Sequence, residues 1–139
     1  MTAEARLPSE LRLGRHRARR TRGRCYELAW KYIADRPDVE GLVLVHGAVG
    51  LEIVRGWEDG PSLKPLSSGR EAGHAWIEIA ALGLVFEPTS QSFLPRDEYC
   101  RACAARAIVR VSSRQETANL LIEHRHYGPW HDEPLYHEE

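Results

Sequence analysis

The stretch from Gly41 to Pro88 constrains this chain most. It carries four short runs of apolar and β-branched residues, with a single helical period ahead of it. Gly41-Leu42-Val43-Leu44-Val45-His46 reads as a buried strand. Gly47 and Gly50 bracket a bend, and Leu51-Glu52-Ile53-Val54-Arg55 reads as the hairpin partner. Residues 74–79 and 82–88 read as a second hairpin that turns near Ala80-Ala81. Upstream, Cys25, Leu28, Ala29, Tyr32 and Ile33 fall at i, i+3, i+4, i+7 and i+8, on one face of a helix. That helix should stop near Asp35, because Pro37 disfavours a helical residue before it. A helix followed by hairpins means an α+β fold, with the Cys25 helix packed on a mostly antiparallel sheet of four to five strands.

The rest of the chain extends this plan. Residues 56–72 hold three glycines, two prolines and three serines and form the longest loop, a flap leading into His74. Pro95 opens a helix through about Arg106. Residues 107–111 read as a strand. Ser113 and Glu116 form a capping box for a last helix to about His126, stopped by Gly128 and Pro129. At 139 residues the chain suits one domain, residues 23–139, behind a basic arm at residues 1–22.

Composition narrows the setting. No apolar run approaches the roughly 20 residues that span a bilayer, so no membrane partner is expected. Arginines at the start lack an apolar h-region behind them, so no secretory signal is visible. Three cysteines do not suit a disulfide framework, and a cytoplasmic, reducing location is expected. The net charge of -1 conceals seven arginines from Arg12 to Arg24. Such an arm can bind nucleic acid. No aromatic residue interleaves these arginines, however, and a solvated extension is the expected state.

Three residues carry the chemistry. Cys25 opens the helix, where the positive end of the macrodipole favours a thiolate. His74 begins a strand, and Glu87 ends the next. If Ile79 pairs with Leu82, His74 falls directly opposite Glu87, with Cβ atoms about 4.5–5.5 Å apart on one face. A shift of one residue would separate them. A thiolate nucleophile needs a base beside it and a third group to orient that base. These three side chains supply all of these as catalytic residues. Trp76, His46 and Gln91 are expected to line the substrate cleft, and His46 is a second candidate for the base. Trp30 and Trp57 are further candidate walls. Cys100 and Cys103 form a lone Cys-x-x-Cys that lacks two further ligands for zinc, so no metal and no cofactor is expected.

Gly23-Arg24-Cys25-Tyr26-Glu27, His74-Ala75-Trp76-Ile77-Glu78 and Val85-Phe86-Glu87-Pro88-Thr89 together resemble the core of the transglutaminase-like branch of the papain-like cysteine protease superfamily. The resemblance spans roughly residues 23–90. It implies a Cys–His–acid triad carried onto Cys25, His74 and Glu87, with Glu where Asp is usual. Its members include peptidases, deamidases, transglutaminases, acyltransferases and inactive domains, so the implied substrate is a peptide or protein amide. The position six before Cys25, a Gln in papain-type proteases, is Arg19, and no oxyanion side chain is assigned. Two other functions stay open: an inactive papain-like domain that binds a peptide or protein, and nucleic-acid binding through the arm.

Overall fold

Cys25–Ala34 forms α1, with Ala29, Tyr32 and Ile33 buried as the spacing predicts. The helix ends at Asp35, one residue ahead of the Arg36-Pro37 step. The computed structural model describes residues 4–53, 63–65 and 71–135. The expected flap and Trp57 lie largely outside them.

Five antiparallel strands form the main sheet. They are β1 (Leu42–Val49), β4 (Ala72–Ile79), β5 (Leu84–Glu87), β6 (Ser92–Pro95) and β7 (Arg106–Val111). Their order is β6-β5-β4-β1-β7. The expected hairpin between residues 41–46 and 51–55 does not form. β1 runs straight through Gly47 and is paired on both edges, with β4 and with β7. The next strand, β2 (Leu51–Ile53), pairs instead with β3 (Leu63–Pro65) in a separate two-stranded sheet. Gly47 is needed for close packing and not for a bend. A Cβ there would stand 2.1 Å from the Arg106 carbonyl oxygen and 2.8 Å from the Trp76 ring.

Two helices follow β6. The first, α2, covers Arg96–Ala102, shorter than the expected run to Arg106, because Ala104 turns left-handed (φ 51°) and β7 begins two residues later. The second, α3, covers Arg114–His124. Ser113 caps it by accepting the Glu116 N–H at 3.2 Å. Arg125, at φ 62°, ends it before Gly128 is reached.

Strands β1, β4 and β5 are buried on both faces. Leu44, Ala75, Ile77 and Phe86 pack in the core cluster that includes α1 residues Ala29, Tyr32 and Ile33. Val45, Trp76, Val85 and Leu94 pack with Tyr99 of α2 and with Cys103 just beyond it. Both-face burial explains why these strands read as continuous apolar runs.

Residues 4–22 form a strap and not a solvated extension. Three short 3-10 turns, Glu4–Arg6, Ser9–Leu11 and Gly14–His16, lay Leu7, Leu11 and Leu13 into the α1 side of the core, each at most 6% exposed. The Tyr32 hydroxyl donates to the Leu11 carbonyl at 2.7 Å, and Arg36 donates to the Arg12 carbonyl at 2.6 Å. Three buried leucines contribute on the order of 1.5–3 kcal/mol each, which outweighs the solvation drive of the intervening arginines. No helix among the described residues is long and apolar enough to cross a membrane.

Candidate functional site

The sheet order makes β4 and β5 neighbours running in opposite directions, so the start of one lies beside the end of the other. His74 is near the start of β4 and Glu87 ends β5. The register pairs Ile77 with Phe86 and Ile79 with Leu84, two residues away from the expected one. Ala80–Leu82 form a 3-10 turn, and Gly83 closes it in the left-handed region (φ 63°), so the connection uses two more residues than a tight hairpin. Continued by one residue, this register sets Glu87 across from Trp76 and diagonal to His74. A two-residue shift preserves the side-chain face. Glu87 Oε1 therefore still reaches His74 Nε2, at 2.5 Å.

Glu87 is held from four directions. Its Oε1 also accepts from the Thr89 N–H at 3.3 Å, and its Oε2 accepts from the Ser90 N–H and hydroxyl, both at 2.6 Å. Its side chain is 3% exposed, whereas that of His74 is 13% exposed. Burial by itself would push the Glu87 carboxyl up. The hydrogen bond and charge of His74 and the two Ser90 bonds outweigh it and hold the acid below its ordinary range. For His74, burial would push the imidazole down. The charge and hydrogen bond of Cys25, then those of Glu87, outweigh it and hold the ring well above 6.5. The imidazole thus stands between a sulfur and a carboxylate. With Nε2 engaged by Glu87, Nδ1 is the ring nitrogen left for Cys25.

Cys25 is half-buried at the first position of α1. Arg24, just before it, bonds Glu27 at 2.9 and 3.2 Å, and Lys31 meets the same carboxylate at 2.8 Å. These two cations hold Glu27 down to about 2. The first turn is pinned by side chains on the helix surface, which leaves Cys25 free of that network.

The residues expected to line a cleft divide. Trp76 is beside the ring, with centroids 6.3 Å apart at 28°, and it also packs on Tyr99 of α2. Tyr99 lies in the field of both Glu87 and Cys25. Burial and then the Glu87 charge push its hydroxyl well above 10. Tyr99 was not singled out because nothing in the spacing of so short a helix marks which of its side chains meets the sheet.

His46 does not belong to this site. It shares the face of Leu44 on β1, is 1% exposed and lies in an aromatic nest of Tyr26 and Trp130. Its Nδ1 accepts from the Trp130 N–H at 3.3 Å. Burial, with the charges of His131, His124 and His126, pushes it down to about 3, and its packing between Tyr26 and Trp130 makes it a core residue. The segment His126-Tyr127-Gly128-Pro129-Trp130-His131 packs against this nest. A Cβ at Gly128 would stand 2.5 Å from the His46 ring and 2.7 Å from Tyr26.

The Gln91 amide is engaged by the strap. Its side-chain carbonyl accepts the Ala18 N–H at 2.7 Å, and its amide donates to the Ala18 carbonyl at 2.8 Å. It is a clamp that ties the strap to the turn holding Glu87. Trp30 packs on Tyr127 and lines a groove with Thr117 of α3. Cys100 and Cys103 are free thiols, both pushed up chiefly by burial, Cys103 to about 12. Among the described residues no group of three or more His, Cys, Asp or Glu side chains is placed to hold a metal ion. No family model, curated protein or solved structure matches the chain.

Proposed function

We propose that this chain is a cysteine-dependent amide hydrolase or acyltransferase built on a papain-like, transglutaminase-like core. The observation that supports it is the His74–Glu87 pair with Cys25 on the same imidazole. Cys25 sulfur attacks the carbonyl carbon of a peptide or protein amide. His74 takes up its proton, and Glu87 stabilises the positive charge that results. The first-turn N–H groups of α1 receive the developing oxyanion. His74 then passes its proton to the leaving amine, which leaves a thioester on Cys25. Water completes hydrolysis, and an amine completes transfer. None of these steps requires a metal or an organic cofactor.

The test is alkylation of Cys25 by iodoacetamide across pH, with Cys100 and Cys103 replaced by Ser. A thiolate–imidazolium pair labels rapidly at about pH 6, and His74→Ala slows that labelling at least about tenfold. An ordinary thiol profile that is the same in both proteins would overturn the reading.

A further inference from the structure

The strap uses its arginines unequally. Arg12 donates to the Leu7 and Ala5 carbonyls, Arg17 pairs with Glu4, and Arg24 pairs with Glu27. These three build the strap and the start of α1. Arg19 and Arg20 are exposed, and no carboxylate among the described residues lies within ion-pair distance of either.

Their position is fixed from both sides. Ala18, directly before them, is clamped at both its N–H and its carbonyl by Gln91, one residue beyond the Ser90 that holds Glu87. On the other side, Arg24 donates to the Arg20 carbonyl at 2.6 Å, and Arg24 precedes Cys25. The backbone carrying two uncompensated cations is thus fastened between the acid of the site and its sulfur. Holding like charges side by side on an ordered backbone costs self-repulsion, which an anionic ligand would relieve.

We infer that Arg19 and Arg20 select acidic peptide substrates, with Asp or Glu side chains flanking the amide presented to Cys25. This rests on the thiol-catalysis reading above. A peptide fits better than a nucleic acid because the backbone that carries the cations is tied to the residue before the nucleophile and no aromatic residue lies among them for stacking bases.

Two affinity labels test it: acetyl-Glu-Glu-Gly chloromethyl ketone and its Gln-Gln counterpart. In each, Cys25 sulfur forms a bond to the methylene carbon and chloride leaves. Each rate is divided by the same protein's iodoacetamide rate. The Glu label should react about fivefold faster than the Gln label at low salt, the scale of two exposed ion pairs. That advantage should fall below about twofold at high salt and in the Arg19→Gln/Arg20→Gln double variant. A Glu-to-Gln ratio near one, or one that survives the double substitution, overturns the inference while His74-dependent iodoacetamide labelling leaves the triad standing. Ordinary thiol labelling overturns both. A ratio near one, with a duplex oligonucleotide bound by the native chain and released by the double variant, would assign the arginines to nucleic acid instead.

Discussion

Replacing Glu87 with Gln separates the charge of the acid from its shape. The amide can still accept a proton from His74 Nε2 through its oxygen. Its NH2 group then faces the Ser90 N–H, which donated to Glu87 at 2.6 Å. Leaving that buried donor unmatched costs about 1–3 kcal/mol at every pH. The second cost depends on pH. A hydrogen bond to a charged group contributes about 1.5–3 kcal/mol and a neutral one about 0.5–1.5, so losing the carboxylate removes roughly 1–2 kcal/mol of imidazolium stabilisation. The sign follows from both partners. His74 is raised in the folded chain, so its contribution is complete below the unfolded value of 6.5 and disappears as pH climbs through the folded value. Glu87 is lowered, so its contribution is present above the unfolded value of 4.5 and disappears as pH falls through the folded value. Urea denaturation of both proteins across pH should therefore show the largest deficit between 4.5 and 6.5, narrowing by about 1–2 kcal/mol in strong alkali and strong acid. A deficit of constant size over that range would refute an ion pair at this position.

The strap and the histidine nest make separate predictions. Gln91→Ala removes both bonds to Ala18 and should cost about 1–2 kcal/mol, with the Ala18 amide exchanging hydrogen faster by NMR; an unchanged exchange rate would refute the clamp. Leu11→Ala should cost about 2–5 kcal/mol in the same urea assay, whereas a solvated arm would lose almost nothing. His46, held down to about 3, should show a neutral ring by NMR at about pH 5, and an imidazolium signal there would contradict its burial among Tyr26 and Trp130.

Local signals carried the elements, and their pairing was the part that failed. The 3.6-residue spacing from Cys25 to Ile33 placed α1, and Ser113 with Glu116 placed the start of α3 within a residue. β1 was misassigned to a hairpin because adjacency in sequence favours the nearest partner, while the sheet pairs Leu44 with Val111 across nearly half of the chain. His74 and Glu87 met despite a wrong register, since a two-residue error conserves the side-chain face. Leu7, Leu11 and Leu13 have no single helical or strand period, so nothing in the order of residues revealed the strap as core. Gln91 looked free because its partner, Ala18, is a backbone site that composition does not mark.

The position of β1 bears on how the chain is made. It is the first of the five sheet strands to be synthesised, yet one of its edges waits for β7, the last. Until Val111 has been added, a nascent polypeptide exposes one side of a nearly all-apolar ribbon with its amide groups unmatched, the configuration most open to pairing with another molecule. Chaperone demand during translation should therefore peak before residue 106 and fall once the closing strand is added.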